Sequence, residues 1–319
     1  MISVKAIALD TYGGPDVLRS VDLPDPHPGP GEIRIRVTAA AVAPVDAMLR
    51  TGLLAGLYEG LRPPFVPGME VAGVVDELGT DIAVDLELPI GTEVVGFVDS
   101  LGAHGGYSDY VVVPAASVTR APKGAGAAEA ASFLNNSLTA RNALDALALP
   151  AGSTLLVTGA AGSVGGYLTQ LASHEGLRVV AIASTHDEPL VRSFGADVVV
   201  PRGQNAAREV LTMAPNGVDA VADAAVLGDQ IVEAVRDGGQ LAMFRPWHGE
   251  PGRGITVHYL NVRHRATDHD AITRLRDLVE EGVLTMRVGR VFPAIEAPDA
   301  HRLLDAGVLR GRIILEFPV

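Results

Sequence analysis

The segment 153–171, STLLVTGAAGSVGGYLTQL, constrains this chain more than any other. A short apolar run leads into Ala160-Ala-Gly162-Ser-Val-Gly165 and then into a stretch of helical character. In that strand, turn, helix order the spacing is G/A-x-G-x-x-G. Ala160 opens the turn, Gly162 lets the backbone approach a pyrophosphate, and Gly165 lets helix and strand pack closely. A helix starting there presents free N–H groups and its positive dipole end to phosphate. A purely structural glycine turn would use the same residues, so the surroundings decide between the two readings. Apolar runs at 155–157, 179–183, 198–200, 220–222 and 240–244, with helical stretches between most of them, imply a parallel, doubly wound sheet whose first strand is 155–157. That placement favours dinucleotide binding.

The second strand decides which dinucleotide. An NAD site ends it with Asp or Glu to hold the ribose 2′-OH. Here it runs into Ser184-Thr185-His186, three hydrogen-bond donors suited to a 2′-phosphate, and NADPH is the expected cofactor. Arg202, just after the third strand, is either a further cation for the adenine end or a solvated loop residue. Asp187, close to the patch, argues against NADPH.

The first third of the chain reads as β-structure. Ile33, Ile35 and Val37 alternate with charged residues, the period of a half-buried strand. The Pro-rich run 23–31 reads as an extended loop. Apolar runs at 71–75, 94–98 and 110–113, broken by Gly, Pro and Asp, suggest a small antiparallel barrel or sandwich, with one helix near 44–49. Helices are expected over 127–134 and 139–147. Beyond the alternating region come a strand at 255–260, an amphipathic helix at 270–281, a helix at 301–304 and a last strand at 313–317.

With 319 residues, at roughly 150 per domain, two domains are expected. A formal charge of −13 opposes nucleic acid as a partner. The chain has no Cys, which excludes disulfides, thiolate zinc sites and a Cys nucleophile and is compatible with a cytoplasmic location. No apolar run approaches the roughly 18 residues that would span a bilayer, so no membrane partner is expected.

Five further segments carry a resemblance. PGPGEIRIRV at 28–37, APVDAMLRTG at 43–52, PGMEVAGVV at 67–75, GGYSDYVVVP at 105–114 and SLTA at 137–140, together with the glycine turn, resemble the medium-chain dehydrogenase/reductase superfamily, specifically its zinc-independent quinone oxidoreductase branch. The resemblance implies an α/β fold with a GroES-like β-rich catalytic domain (1–122 and 258–319) and a Rossmann cofactor domain (123–257). It implies a homodimer, Thr139 near the nicotinamide ribose, Gly162, Ser163, Val164 and Gly165 at the pyrophosphate, and Phe244 near the nicotinamide. In zinc-dependent relatives a Cys lies in the region of Pro44 and a His at the position of Met69; neither is present, and no metal is expected. Two departures stand near the expected cleft: Ala43 replaces an Asn and Arg245 a Gly.

The implied reaction is zinc-free hydride transfer from NADPH to a quinone or an α,β-unsaturated carbonyl. Alternatives are an enoyl-thioester or polyketide-tailoring enoyl reductase and a non-catalytic NADPH-binding redox sensor. Tyr58 is a candidate catalytic and substrate-contacting residue, with loop packing as its other reading. His104 suits general acid work by its ordinary pKa. Asp46 and Arg50, four apart on the short helix, read first as an exposed ion pair and second as substrate contacts. Trp247, next to His248, is a candidate pocket wall for an aromatic substrate.

Overall fold

The computed structural model describes residues 3–83, 86–101 and 104–318. In chain order it contains β1 (Ser3–Ala8), β2 (Arg19–Pro24), β3 (Glu32–Val42), α1 (Pro44–Arg50), β4 (Glu70–Leu78), β5 (Glu93–Phe97), β6 (Tyr110–Pro114), β7 (Val118–Arg120) and α2 (Ala127–Ala130). There follow α3 (Leu134–Leu147), β8 (Thr154–Thr158), α4 (Ser163–His174), β9 (Arg178–Ala183), α5 (Glu188–Ser193), β10 (Val198–Pro201), α6 (Ala206–Met213), β11 (Val218–Asp223), α7 (Asp229–Val232), β12 (Val235–Met243) and β13 (Thr256–Tyr259). The chain closes with α8 (His269–Glu280), β14 (Val288–Pro293), α9 (Ala297–Ala306) and β15 (Arg312–Glu316). Two compact units result: 1–135 with 263–280 and 286–319, and 136–262 with 281–285.

The first unit is built on a seven-stranded sheet in the order β14-β15-β3-β4-β5-β7, with β6 pairing with β3. Its pairs are antiparallel except β14 with β15. β3 shows the period-two logic of its sequence: Ile33, Ile35 and Val37 are buried while Glu32, Arg34 and Arg36 are half-buried. Its far end pairs with β15, Val42 opposite Ile313, which draws the end of the chain into the sheet started by its first third. β1 and β2 form a separate antiparallel hairpin, attached by a bridge between Ala6 and Ser108.

The second unit carries a six-stranded, wholly parallel sheet in the order β10-β9-β8-β11-β12-β13. Counted from β8 this is the 3-2-1-4-5-6 arrangement of a doubly wound dinucleotide-binding sheet, with its switch point beside β8. The central strands β9, β8 and β11 are buried on both faces, which explains their unbroken apolar runs. The turn after β8 depends on one close approach. A Cβ on Gly165 would lie 2.2 Å from the Gly159 carbonyl oxygen, so only glycine lets α4 start so near the strand.

Some elements depart from expectation. The helix expected over 127–134 ends after one turn at Ala130, where the Ser132 hydroxyl donates to the Glu129 carbonyl, and α3 starts at Leu134 rather than 139. β2 and β14 were not foreseen. Both are mostly exposed or half-buried, so neither writes an apolar alternation into the sequence.

Gly165→Ala is expected to destabilise the protein by about 1–3 kcal/mol, the cost of overpacking a tight site, read as a lower urea midpoint.

Candidate active site

A carboxylate is the hinge of the first unit's site. Asp46, in the first turn of α1, is buried, and its two oxygens accept the N–H groups of Ala43 at 2.8 Å and Gly68 at 2.9 Å. Ala43 offers the helix no capping oxygen, so the Asp46 side chain reaches back to satisfy its N–H. The Tyr107 hydroxyl donates to Asp46 at 3.3 Å and meets the His301 Nε2 at 3.3 Å. Gly68 has a φ of +102°, and a Cβ there would strike the Tyr107 ring at 2.6 Å, so this junction requires glycine. Arg50 is also buried, but its partner is Asp305, at 2.7 Å. The expected exposed Asp46–Arg50 pair is therefore not formed: each side chain is drawn inward by a different partner.

Beside this hinge lies a second buried pair, which the sequence did not disclose. Glu70 and Arg312 are 1% and 5% exposed with 3.4 Å between Oε2 and Nη2, joining the start of β4 to that of β15. Burial raises the Glu70 carboxyl to about 7 against the opposing pull of Arg312 and of the Asn135 and Leu134 amides. Burial likewise raises Asp46 to about 6 and lowers His301 to about 4. No local spacing signals a partner 242 residues away.

The segment 66–69 that Asp46 anchors in turn anchors the loop after β5. Val98 N–H donates to the Met69 carbonyl, Gly105 N–H to Val66 and Gly106 N–H to Gly68. Arg263 pairs with Asp99 on this loop. Ser100 and His104 thereby line a cavity of about 320 Å³ together with Tyr58. The Tyr58 hydroxyl and Ser100 Oγ share a hydrogen bond of 3.1 Å. Tyr58 is buried and packs edge-on against Phe65, their ring centres 5.2 Å apart. Desolvation raises its pKa, against the Ser100 bond and the Arg263 charge, so it remains a neutral donor at ordinary pH. Desolvation lowers the His104 pKa, which favours its neutral ring near neutrality. Tyr58 and His104, 46 residues apart, thus meet in one cavity; Ser100 and Arg263, which complete the setting, carried no signal in the sequence.

The second unit presents the other candidate residues. α4 starts at Ser163 with Gly162 as its N-cap, so Ser163, Val164 and Gly165 form the first turn with N–H groups directed out of the helix. The tight turn and the open helix end fit a pyrophosphate. After β9, Ser184 Oγ donates to Asp187 at 2.7 Å and accepts the Asp187 N–H at 3.2 Å, while Thr185 and His186 are exposed. Arg202 is exposed and its N–H donates to the Ala183 carbonyl at 2.8 Å, which sets it beside this turn. A cation and two free donors therefore flank a site whose Ser184 is engaged by a carboxylate. Thr139 is half-buried in α3, Ala160 buried in the glycine turn, and Phe244 half-buried just after β12. Burial lowers the Arg245 pKa. Trp247 packs on the core of the second unit and donates to Asp229 at 3.2 Å.

Residues 29–123 match the alcohol dehydrogenase GroES-like domain, and residues 194–315 match the zinc-binding dehydrogenase family. An NADPH-dependent alkenal/one oxidoreductase of chloroplasts from Arabidopsis thaliana is 29% identical, covering 99% of this chain and 80% of that protein. The solved structure of a mycobacterial quinone oxidoreductase is 30% identical with a TM-score of 0.83, covering 99% of this chain and 100% of that one. A mycobacterial structure in complex with NADPH is 30% identical with a TM-score of 0.85, covering 98% and 100%. A GroES-like sheet unit and a doubly wound unit in one chain define an oxidoreductase of the medium-chain type. The chain belongs to the quinone oxidoreductase branch of the medium-chain dehydrogenase/reductase superfamily.

The zinc in one family's description does not carry over to the donor set here. Met69 is a buried thioether where the resemblance expects a ligand His, the chain has no Cys, and no three His, Asp or Glu residues among those described are grouped to hold a metal.

The raised carboxyl groups link stability to pH. Folding raises Glu70 and Asp46 above their ordinary values, so the stability each contributes is complete below about pH 4 and is lost as the pH rises through about 7 and 6. His301 acts in the opposite sense: its contribution is present above its ordinary 6.5 and is lost as the pH falls through about 4. The stability of the wild type relative to Glu70→Gln is expected to fall between roughly pH 5 and pH 8, measured by urea unfolding at each pH.

Proposed function

We propose that the protein is an NADPH-dependent reductase that delivers hydride to a conjugated acceptor, a quinone or an α,β-unsaturated carbonyl, without a metal. The carrying observation is the meeting of Tyr58, Ser100 and His104 in one largely apolar cavity. That set offers neutral hydrogen-bond donors and no strong acid, which suits an acceptor that is already electron-poor. The chemistry named for the Arabidopsis relative and the mycobacterial quinone oxidoreductase supports the same acceptor class.

In this reading the first turn of α4, with Ala160 before it, holds the pyrophosphate through backbone N–H groups. Thr185, His186 and Arg202 hold the 2′-phosphate, with Ser184 joining when its hydroxyl turns from Asp187. Thr139 and Phe244 flank the nicotinamide ribose and ring, and Trp247, on the same unit, walls the pocket of an aromatic acceptor. The bound NADPH complex of a mycobacterial relative supports the choice of cofactor. When bound, the reduced nicotinamide supplies the hydride. Tyr58 then donates a hydrogen bond to the acceptor's carbonyl oxygen, where negative charge develops, and Ser100 orients that hydroxyl. His104, in the same cavity, supplies the final proton. Asp46 and Arg50 act from behind the site by fixing α1. The reading includes a homodimer, supported by the family and by β13 standing at the end of the sheet, and a cytoplasmic location, supported by a composition that needs no disulfide.

The test is NADPH and NADH oxidation against quinones, enones and enoyl-thioesters with EDTA present throughout. NADPH-selective turnover of a quinone or enone, insensitive to EDTA, is expected. Turnover confined to enoyl-thioesters would move the acceptor to the carrier-bound class, and no turnover of any of them would overturn the reading. Tyr58→Phe is expected to lower kcat about 10²–10³-fold, the loss typical of one donor to a developing oxyanion. Arg202→Glu is expected to raise KM for NADPH at least about tenfold more than KM for NADH, the scale of one charge-assisted contact.

A further inference from the structure

Arg245 follows β12 by two residues and is half-buried, yet among the described residues none gives its guanidinium a hydrogen bond or an ion pair. Burial lowers its pKa, and no carboxylate opposes that shift. The buried acid at this end of the sheet, Asp223, is already satisfied. It accepts the Thr158 hydroxyl at 2.7 Å and the N–H groups of Leu227 at 3.0 Å and Gly228 at 2.9 Å. A charge drawn partly out of water without a partner costs stability, and such groups collect where a ligand completes them.

Strand register places this cation. Asp223, at the end of β11, is opposite both Thr158 of β8 and Met243 of β12. Arg245 therefore leaves the sheet at the level of the glycine turn, two strands away, a separation of about 10 Å. Ser184 and Arg202 follow β9 and β10, on the other side of β8. A dinucleotide lying across the switch point has its adenosine half over β9 and its nicotinamide half over β11 and β12. Arg245 thus stands at the reacting end, away from the phosphate seats. Its segment is also held in place. Trp247 donates its indole N–H to Asp229 at 3.2 Å and accepts the Tyr259 hydroxyl on its carbonyl at 2.7 Å, and a Cβ on Gly249 would lie 2.1 Å from the Trp247 ring. We propose that Arg245 seats a carboxylate of the acceptor, so that the favoured acceptors are conjugated carbonyls bearing a carboxylate group. A single guanidinium balances one negative charge, and its planar fork matches a carboxylate in two parallel hydrogen bonds. The conjugated carbonyl in this proposal rests on the reductase reading; the anion seat stands on the unpartnered cation and its register.

The experiment measures binding apart from turnover. NADPH oxidation is followed with 4-oxopent-2-enoate and with its methyl ester, and the saturated 4-oxopentanoate is titrated by calorimetry into the protein loaded with NADP⁺. Both acids are ionised at pH 7. The ratio of kcat/KM, acid over ester, cancels the intrinsic reactivities when variants are compared. Arg245→Gln is expected to lower that ratio at least about tenfold and to raise Kd for 4-oxopentanoate by a similar factor, the scale of one charge-assisted contact. Arg245→Lys, which keeps the charge and loses the fork, is expected to fall between the two. Arg208→Gln, which removes an exposed cation of α6, is expected to leave the ratio unaltered. An unaltered ratio in Arg245→Gln would overturn the proposal and leave the reductase reading standing. A rise in KM for NADPH with no change in the ratio would assign Arg245 to the cofactor and overturn it equally. Weakened 4-oxopentanoate binding in Arg245→Gln, with no turnover of any acceptor by the wild type, would keep the anion seat and overturn the reductase reading.

Discussion

The first unit depends on one buried carboxylate. Asp46 satisfies the N–H that begins α1 and the N–H of Gly68, and it receives the Tyr107 hydroxyl, so three segments far apart in sequence converge on two oxygens. Removing such a group would leave two amide donors buried without partners, each costing about 1–3 kcal/mol. The consequence travels outward. Segment 66–69, once fixed, carries the backbone bonds that hold both ends of the Ser100 and His104 loop. Side chains at the cavity are thus positioned by a group that does not itself line it. Arg50 and Glu70 extend the same arrangement, each tied to a residue near the end of the chain.

The two units solve the problem of recognition in different ways. In the second, the proposed phosphate site is made of backbone. Its essential residue is Gly165, whose missing Cβ permits the approach of helix to strand, and the N–H groups it exposes recognise charge rather than shape. In the first, the site is made of side chains on loops held by a sheet. Backbone recognition suits a cofactor that never changes, whereas loop side chains are free to vary without disturbing the sheet beneath them. On the proposed reading, specificity for the acceptor lies in cavity residues such as Tyr58 and Ser100, outside the regular strands.

What was legible in the sequence follows the same division. The glycine turn, the parallel strands and the alternating β3 are local patterns, each dictated by neighbours within a few residues, and they were read correctly as elements and as a fold. Tyr58 and His104 stood out by chemistry. The ion pairs did not, because a side chain's partner is set by the fold: Arg50 reads as Asp46's neighbour on a helix but faces Asp305. Ser184 likewise reads as a free donor, while its turn brings Asp187 within 2.7 Å. β2 and β14 escaped because strands with little buried surface leave no period in the sequence.

The titration behaviour of the cavity limits the chemistry it supports. Desolvation keeps Tyr58 protonated and favours the neutral ring of His104, so neither is a strong acid near pH 7. A site of this kind gives little help to an unactivated ketone, whose reduction needs a Lewis acid or a proton in flight. It gives enough to a conjugated acceptor, because the charge left by hydride addition is spread over the conjugated system and one or two oriented hydrogen bonds stabilise what remains. On the proposed reading, the largely apolar lining of the cavity excludes the water that would weaken those bonds.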